Sequence, residues 1–503
     1  MTQAPAPKPD PAPGAALATP RLARGEALQS SLRTVTIAWM FGSAWVWTVN
    51  GAVMTQFAKG LHTPDWGFGV LAALPFVGTL FQLPAGFALD RFGHRKTIFL
   101  IFATLSRMLW SVIALVPWVL PGKHAWWWPT MAALIGVSWA LANVTGPAWM
   151  NWMSDLIPRR VRGRFFALRN NVGQVIGLLI TLGIGYLLDR AEGDGHAMLR
   201  VTSVLLAVAG LLGTIDILCF FRVPDAEESP RPLAPQLGAS FLAPLADANF
   251  RRFLLFNALF TFAIGYIGQY VWLFLLDVLQ WSNAKANLLL IAVPLAARVL
   301  VYNFWGRLID RLGKKPVILI SGAFTTFGAI VWVLITPERF WLGYFAVLLV
   351  TMAWPGFEVA NFNMILDLSG GRGRGAGAYV ALTSVACAIA GILSGVFGGL
   401  VAKLLGDWTY DVGFWGIVLT YHGVLFLIST GLRGIAVWIA AGLHEPRTTA
   451  TRDTIRIITG EFYSNVKTTA LLPARVAGHL MRLTYRVDDT PSGKPPRRVA
   501  RPS

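Results

Sequence analysis

The sequence predicts an all-α integral membrane protein whose twelve transmembrane helices form two pseudo-symmetric halves of six helices. Three observations lead to this fold class. The chain of 503 residues is 55% hydrophobic, its apolar runs have the length of a membrane-spanning helix, and a short basic loop sequence occurs twice. Only 14% of the residues are charged, which is too little polar surface for a soluble protein of this size. We therefore expect the lipid bilayer to be the solvent of this chain.

Apolar runs of the ~17–25 residues that a membrane helix needs occur six times on each side of a polar interval. They lie near 34–58, 66–89, 97–120, 126–153, 165–188 and 199–221, and then near 251–278, 286–309, 316–336, 340–366, 377–403 and 413–440. The predicted organisation is a disordered leader (1–32), a first half (33–221), a linker (222–250), a second half (251–444) and a basic tail (445–503). The leader and the linker are rich in Pro, which is typical of segments without a packed core.

The distribution of charge predicts the orientation in the membrane. One set of short loops carries most of the basic residues, and the loops on the other side carry about one each. By the positive-inside rule the basic loops and both termini are cytoplasmic, which predicts a multi-pass protein of the cytoplasmic (inner) membrane. In this setting the net charge of +18 predicts contact with anionic lipid rather than with nucleic acid.

The duplicated loop follows the second apolar run of each half. Its copies read Gly, three residues, Asp-Arg, one residue, Gly and a basic cluster. Such a sequence forms turns, and two copies at matching places indicate an internal repeat. The first copy contains Gly86, Asp90, Arg91, Gly93 and Arg95, and the second contains Gly306, Asp310, Arg311, Gly313 and Lys315.

A second pair of loops also repeats between the halves. In the first half Asp155 is followed by Arg162, Gly163 and Arg164, and in the second half Asp367 is followed by Arg372 and Arg374. The first copy has Pro158 between its acidic and basic residues, and the second copy lacks this proline.

Together the two pairs of loops resemble those of the major facilitator superfamily, and the resemblance covers residues 33–445. It implies a transporter fold in which helices 1, 4, 7 and 10 line a central cavity. It also implies a conformational latch, in which Asp90 meets the start of helix 11 near Gly377 and Asp310 meets the start of helix 5 near Arg164. A carboxylate at a helix N-terminus gains ~0.3–1 kcal/mol. Arg162, Gly163 and Arg374 belong to this predicted latch, and a purely topological role of the loops is the alternative.

Charged side chains at membrane depth cost at least ~2.5–3.5 kcal/mol, so each is a candidate for a function. The sequence places Arg107, Asp216, Arg298 and Glu358 at such depth. On the helix map that the resemblance implies, Arg298 and Glu358 are predicted to form a pair facing the cavity. Glu358 is the candidate proton carrier and Arg298 the candidate anchor for a carboxylate or a sugar hydroxyl, with a structural ion pair as the alternative. Arg107 and Asp216 are interpreted as a structural pair of the first half.

Amide and aromatic side chains complete the predicted cavity. Flat rings beside amides suit sugars or similar polar rings, although Trp and Tyr also populate membrane interfaces. The candidates are Asn50 on helix 1, Trp139 and Asn143 on helix 4, Tyr266, Gln269 and Tyr270 on helix 7, and Trp354, Glu358 and Asn361 on one face of helix 10.

The predicted function is secondary active transport of a small polar organic solute, such as a sugar, glycoside or organic acid, by alternating access. Protons are the candidate coupling ion, and a monomer is expected. An efflux pump for drugs or lipophilic compounds is the alternative, although helix 4 lacks the Arg and helix 5 the Gly-Pro signature that proton-coupled drug exporters of the superfamily carry. A non-transporting receptor or a lipid translocase on the same fold is an alternative of another class. The sequence offers no phosphate-binding loop, no nucleophile with a base and no metal cluster, so neither an enzyme nor a cofactor is expected.

Overall fold

The computed structural model describes residues 26–225, 242–369 and 376–445. Most of the predicted leader and linker, the basic tail and Arg374 lie outside them.

Twelve membrane crossings, labelled α1 to α12, are present in the described part of the chain. In the first half they are α1 (Glu26–Val49 and Ala52–Gly60), α2 (Asp65–Leu80 and Gln82–Phe92), α3 (Arg95–Val119), α4 (His124–Leu156), α5 (Arg159–Arg190) and α6 (Gly195–Cys219). In the second half they are α7 (Ala248–Gly265, Tyr270–Leu273 and a π-helical turn Phe274–Val278), α8 (Asn283–Asn287, a π-helical turn Leu288–Ala292 and Val293–Leu312), α9 (Lys314–Val331), α10 (Trp341–Leu368), α11 (Ala376–Leu405) and α12 (Tyr421–Ala441). Short 3-10 turns lie at Phe220–Arg222, Ala243–Ala246, Trp332–Leu334 and Pro337–Arg339.

Ten of the described crossings are long and apolar enough to span a membrane, and α1 and α8 are the two that fall short. The shortfall has a cause in composition, because α1 contains Arg33 with several Ser and Thr residues and α8 carries charged residues such as Arg307 and Arg311. The predicted fold class of twelve helices in two halves is confirmed.

The first helix differs from the prediction, which made it continuous over 34–58. The helix stops at Val49 and restarts at Ala52, with Gly51 in an extended conformation between the two segments. The freed backbone groups find partners, because the Ala52 N–H donates to Asn287 Oδ1 of α8 over 3.2 Å. A break that lines a protein interior is tolerated for this reason.

The last helix begins at Tyr421 rather than at the predicted 413. The residues before it form a small hairpin in which β1 (Tyr410–Asp411) pairs antiparallel with β2 (Val418–Leu419). Gly413 and Gly416 have positive φ angles of 67° and 63°. Glycine adopts this left-handed conformation at little cost, so the apolar residues between them form a turn instead of a helix.

The buried core shows how the two halves meet. At one end of the bundle a single core contains side chains of both halves, including Phe57, Phe68, Tyr270 and Phe426. At the other end each half has a core of its own. We call the first end the closed end, and we call the second, which carries the loops of Arg95 and Lys314, the basic end.

Candidate transport site

The closed end is held by polar contacts between the halves. The Tyr421 hydroxyl donates to Asp65 Oδ2 over 2.8 Å, and the Tyr270 hydroxyl donates to the Asp65 carbonyl over 3.3 Å. Lys59 and Asp277 form an ion pair, which is half exposed and therefore worth ~0–1 kcal/mol. Asp65 at the start of α2 is thus the acceptor for two tyrosines of the second half.

Helix α8 supplies a second group of contacts at the closed end. Gln56 Nε2 donates to Asn283 Oδ1 over 2.7 Å, and the Ala284 N–H donates to both carboxylate oxygens of Asp189 over 3.2 and 3.3 Å. Where both partners are placed by the structure, all hydrogen bonds and ion pairs that join the two halves lie at this end.

Helices α2 and α11 approach each other through glycine. A Cβ added at Gly69 would lie 2.3 Å from the Gly395 carbonyl oxygen, and one added at Gly399 would lie 2.7 Å from the Trp66 carbonyl oxygen. Only glycine permits backbones to approach so closely. The glycines therefore explain how these two helices, one from each half, pack so tightly at the closed end.

Three glycines at the positions of the predicted latch have no close neighbour among the described residues. A Cβ added at Gly86, Gly163 or Gly377 would meet no atom within 4 Å. The side chains of Asp90 and Asp310, and Gly306, lie outside what the structure describes, so the predicted latch contacts stay a prediction.

Arg95 organises the basic end of the first half. Its side chain is 2% exposed, and it bridges two carboxylates: Nη1 lies 2.5 Å from Asp155 Oδ2 and Nε lies 2.9 Å from Asp225 Oδ1. The sequence analysis predicted Arg95 as part of a latch between the halves. In the structure Arg95 joins the end of α4 to the segment after α6, which belongs to the same half. Arg162 likewise acts locally, because it donates to the Ser154 and Ile157 carbonyls at the end of α4.

The second half repeats this arrangement with different chemistry. Lys314 forms ion pairs with Asp367 at the end of α10 and with Glu445 after α12. The backbone N–H groups of Lys314 and Lys315 donate to the Glu445 carboxylate over 3.0 and 2.8 Å. A carboxylate at the N-terminus of α9 is in a favourable position because the exposed N–H groups there carry partial positive charge.

The glycines that end the duplicated motif have a common backbone role. Gly93 and Gly313 have φ angles of 65° and 92°. Their N–H groups donate to Leu89 and Ile309 over 2.8 and 2.9 Å, which closes the last turn of α2 and of α8. A left-handed glycine at a helix C-terminus explains why both copies of the motif have glycine at this point.

Three predicted site residues meet at a small cavity between the halves. Asn50 at the break of α1, Trp139 of α4 and Gln269 at the bend of α7 line it together with Thr55 and Pro75. The cavity has a volume of about 40 Å³, which is room for water but not for a sugar. It therefore marks the closed side of a central space whose other side faces the basic end.

The remaining amides lie on the helices that border this space. Asn143 Nδ2 donates to the Trp139 carbonyl one turn earlier in α4 over 2.9 Å. Asn361 Nδ2 of α10 donates to Asn257 Oδ1 of α7 over 2.7 Å, and Asn361 Oδ1 is buried without a hydrogen-bond partner. Asn257, which the sequence did not single out, therefore joins the predicted Asn361.

The prediction that Tyr266 and Tyr270 line the cavity is wrong for this conformation. The two side chains are only 3% and 1% exposed and belong to the core shared by both halves at the closed end. The cause is the bend of α7 after Gly265, which directs the following residues toward α2 and α11. Tyr270 acts instead as a contact that holds the closed end.

Arg298 and Glu358 do not form an ion pair with each other in this state, contrary to the prediction. Glu358 is exposed, and its Oε1 accepts a hydrogen bond from Trp354 Nε1 over 2.7 Å. Arg298 Nε is buried without a hydrogen-bond partner. Of the predicted set, Trp354 and Glu358 are thus hydrogen-bonded to each other on α10, and neither is hydrogen-bonded to Arg298.

Two deep arginines escaped the sequence prediction. Arg169 lies ten residues into α5, with its guanidinium 4.0 Å from the ring centroid of Trp39 and 5.0 Å from that of Trp149. Arg433 of α12 is 5% exposed, and its Nη1 donates to the Thr325 carbonyl over 2.9 Å. Arg433 was visible in the sequence as a charge inside an apolar run.

Arg107 and Asp216 were predicted to form a structural pair, and the structure shows a different arrangement. The two residues interact electrostatically, but they form no ion pair. Instead the Arg107 guanidinium lies 3.4 Å from the ring centroid of Trp45. A cation over an indole face is a favourable alternative partner.

The fold and this site define a class of protein: a membrane carrier of two six-helix halves that close around a central space. The sequence model of the Major Facilitator Superfamily matches residues 36–391. The chain belongs to the Major Facilitator Superfamily.

Individual relatives are more distant. The tetracycline resistance protein, class H, of Pasteurella multocida is 25% identical over 401 residues, which cover 76% of this chain and 88% of the relative. The crystal structure of the nucleoside transporter NupG has a TM-score of 0.63 at 13% identity, covering 84% of this chain and 100% of that one. The D-xylose-proton symporter has a TM-score of 0.63 at 14% identity, with the same shares covered. At this identity the two structures support the fold alone.

Proposed function

We propose that this superfamily transporter moves a small polar organic solute by alternating access, and that it binds the solute in the space bordered by Asn50, Trp139 and Gln269. The observation that carries the proposal is the meeting of these three residues, from both halves, directly behind the closed end. In alternating access such a site is exposed to one side at a time as the halves rock. With the basic end in the cytoplasm, the described state faces inward.

The chemistry of the cavity favours a polar solute. The side chain of Gln269 makes no hydrogen bond with another described residue, so its amide donors and acceptor are available to a ligand. The Trp139 ring beside it offers a flat apolar face. An amide next to an aromatic face suits a ring that carries hydroxyl groups, whereas a purely apolar ligand would leave the amide unpaired at a cost of ~1–3 kcal/mol.

A second candidate function is export of a drug-like compound. It is favoured by the relative from Pasteurella multocida, whose name concerns tetracycline resistance. Against export of lipophilic drugs stands α5, which is one helix from Arg159 to Arg190 without an internal proline. The two candidates differ in the ligand that the cavity prefers, which a binding experiment can decide.

Coupling to protons is proposed through Glu358. Its carboxylate is exposed in this inward-facing state and accepts a hydrogen bond from the Trp354 indole N–H. A carboxylate that is reachable from one side in one state meets the basic requirement of a proton carrier. Transport that responds to pH identically in the wild type and in Glu358→Gln would remove this role.

The deciding experiment is a thermal-shift screen of the purified protein against neutral sugars, sugar acids, small carboxylates and tetracycline. A ligand at 100 times its dissociation constant stabilises the folded protein by ~2.7 kcal/mol. We expect stabilisation by a polar compound that is lost in Gln269→Ala and retained in Gln29→Ala, a half-exposed glutamine near the start of α1. Stabilisation by tetracycline alone would overturn the polar-solute proposal in favour of export.

A further inference from the structure

A buried carboxylate lies in the interior of the first half, apart from the cavity residues. Asp216 of α6 is 4% exposed. Its Oδ2 packs against α1, since a Cβ added at Gly42 would lie 2.3 Å from it. The Asp216 carboxylate makes no hydrogen bond and no ion pair with the side chain or backbone of another described residue. A buried carboxylate without a donor is costly in its ionised form.

Two arginines compensate its charge from a distance. Arg107 of α3 lies beside α6 one turn before Asp216, since a Cβ added at Gly213 would lie 2.9 Å from its Cδ. Arg169 of α5 lies over Trp39, which borders Gly42 as Asp216 does. Each guanidinium is stacked on indole rings instead of binding the carboxylate. The Nε atoms of both arginines are buried without a hydrogen-bond partner. The ionised form of Asp216 therefore depends on charges that are near but not bonded to it.

Unpaired donors gather around the same point. The described chain has sixteen buried side-chain N and O atoms without a partner, and five of them belong to this cluster: Trp39 Nε1, Ser43 Oγ, Trp45 Nε1, Arg107 Nε and Arg169 Nε. Ser43 and Trp45 are 0% and 5% exposed. Native proteins pair nearly all buried polar groups, so these atoms are available to a water molecule, a ligand or a rearranged side chain.

We propose that Asp216 binds and releases a proton during the transport cycle, and that Arg169 connects it to the central cavity. This inference rests on the proposed function, because it assigns a coupling site to that transporter. It adds a protonation site in the first half to the one proposed at Glu358 in the second.

The connection follows from where Arg169 lies. Its guanidinium is placed between Trp39 of α1 and Trp149 of α4, two helices that border the cavity. A solute or water that draws Arg169 toward the cavity weakens the compensation at Asp216, and the carboxylate then takes up a proton. When Arg169 returns, Asp216 releases the proton.

No other charged group interferes with this exchange in the described structure. Helix α3 contributes Arg107 and α5 contributes Arg169, whereas α1 faces Asp216 with Trp39, Ser43 and Gly42. Cys219, one turn further along α6, is the remaining titratable group that interacts with Asp216. In the test below Cys219 is replaced by Ser, so its thiol cannot contribute to the response to pH.

The test measures the conformational response to pH without any solute. Spin labels at Lys123 and Glu338, two exposed residues of opposite halves at the closed end, are introduced after replacing Cys219 and Cys387 by Ser. We expect the distance distribution of the reference protein in proteoliposomes to change between about pH 5 and pH 9. In Asp216→Asn this change is expected to be lost, and in Glu358→Gln it is expected to persist in part.

A second measurement detects the proton itself. The carbonyl stretch of a protonated carboxyl group is expected in the infrared difference spectrum between acidic and alkaline pH, and it is expected to be missing in Asp216→Asn. If that variant does not fold, Arg169→Gln serves instead. Removing one nearby positive charge should raise the pH midpoint of the band by about one unit or more.

The outcomes separate this proposal from the proposed function. An infrared band and a distance change that both persist in Asp216→Asn would overturn the role of Asp216, whatever solute the protein binds. An unchanged midpoint in Arg169→Gln would overturn the connection to the cavity. Failure of all compounds in the thermal-shift screen would count against the solute site and leave the pH response measurable.

Discussion

The glycine contact between α2 and α11 predicts how a single methyl group would redistribute the transporter between its states. A Cβ at Gly395 would lie 2.4 Å from the Gly69 carbonyl oxygen and 2.8 Å from Ala73 Cβ. The first of these atoms belongs to the backbone, so it can yield only if the two helices separate. The Gly395→Ala variant therefore destabilises the described state, in which α2 and α11 are in contact at the closed end.

The size of the effect follows from the cost of overpacking. An extra methyl group in a tightly packed contact costs ~1–3 kcal/mol. Because the contact joins the two halves, this cost falls on the described state and not on a state in which α2 and α11 have parted at the closed end. The equilibrium between the two should shift by about 5-fold to 150-fold toward opening of the closed end.

Spin labels at Lys123 and Glu338 report this shift as a larger population of long distances. The matched control is Gly431→Ala on α12, where an added Cβ meets no atom within 4 Å. We expect the control to match the reference protein. An unchanged distance distribution in Gly395→Ala, or an equal change in Gly431→Ala, would refute the reasoning that this contact sets the balance.

Two further predictions concern the ends of the bundle. Arg95→Ala removes the buried cation that joins two partly exposed carboxylates, and it should lower stability by about 1–3 kcal/mol in thermal unfolding in detergent. The exposed Arg91, changed to Ala, should stay within about 0.5 kcal/mol of the wild type, and an equal loss in both variants would count against the bridge. Tyr421→Phe removes the hydroxyl that donates to the Asp65 carboxylate and should cost the closed state about 1.5–3 kcal/mol. Its distance distribution should move in the same direction as that of Gly395→Ala, and a shift the other way would show that the bond does not hold the closed end.

Hydrophobic run length was sufficient to predict the twelve helices, but not where several of them are interrupted or begin. The break of α1 depends on Asn287 of another helix, which satisfies the Ala52 N–H. The late start of α12 depends on glycines at positive φ within an apolar stretch. The length of an apolar run gives no information about a hydrogen bond to a distant residue or about a backbone angle.

The candidate site was predicted in part, for reasons that differ from residue to residue. Asn50, Trp139 and Gln269 come together because each lies on a helix that borders the central space. Arg169 lies inside the predicted run near 165–188 but close to its start, so it was not counted among the deep charges, whereas α5 begins earlier, at Arg159. This places Arg169 ten residues inside the helix, which is about 15 Å from its start.

The contacts at the closed end were beyond the reach of sequence periodicity. Asp65 and Tyr421 are separated by 356 positions, and neither belongs to a repeated motif. The duplicated loops drew attention to the basic end, where the described groups bind within one half. In this state the contacts that join the halves are formed by residues that no local pattern distinguishes from ordinary helix ends.

The π-helical turn of α8 has a consequence for comparing this chain with its relatives. Such a turn is equivalent to one extra residue in an α-helix, and each residue advances the helix by about 100°. Everything after Leu288–Ala292, including Arg298, is thereby rotated relative to Asn283 and Asn287. A relative with a regular helix here would match this chain only across a one-residue gap, and deleting one residue of the turn would rotate Arg298 to a different face of α8 while leaving the contacts of Asn283 in register.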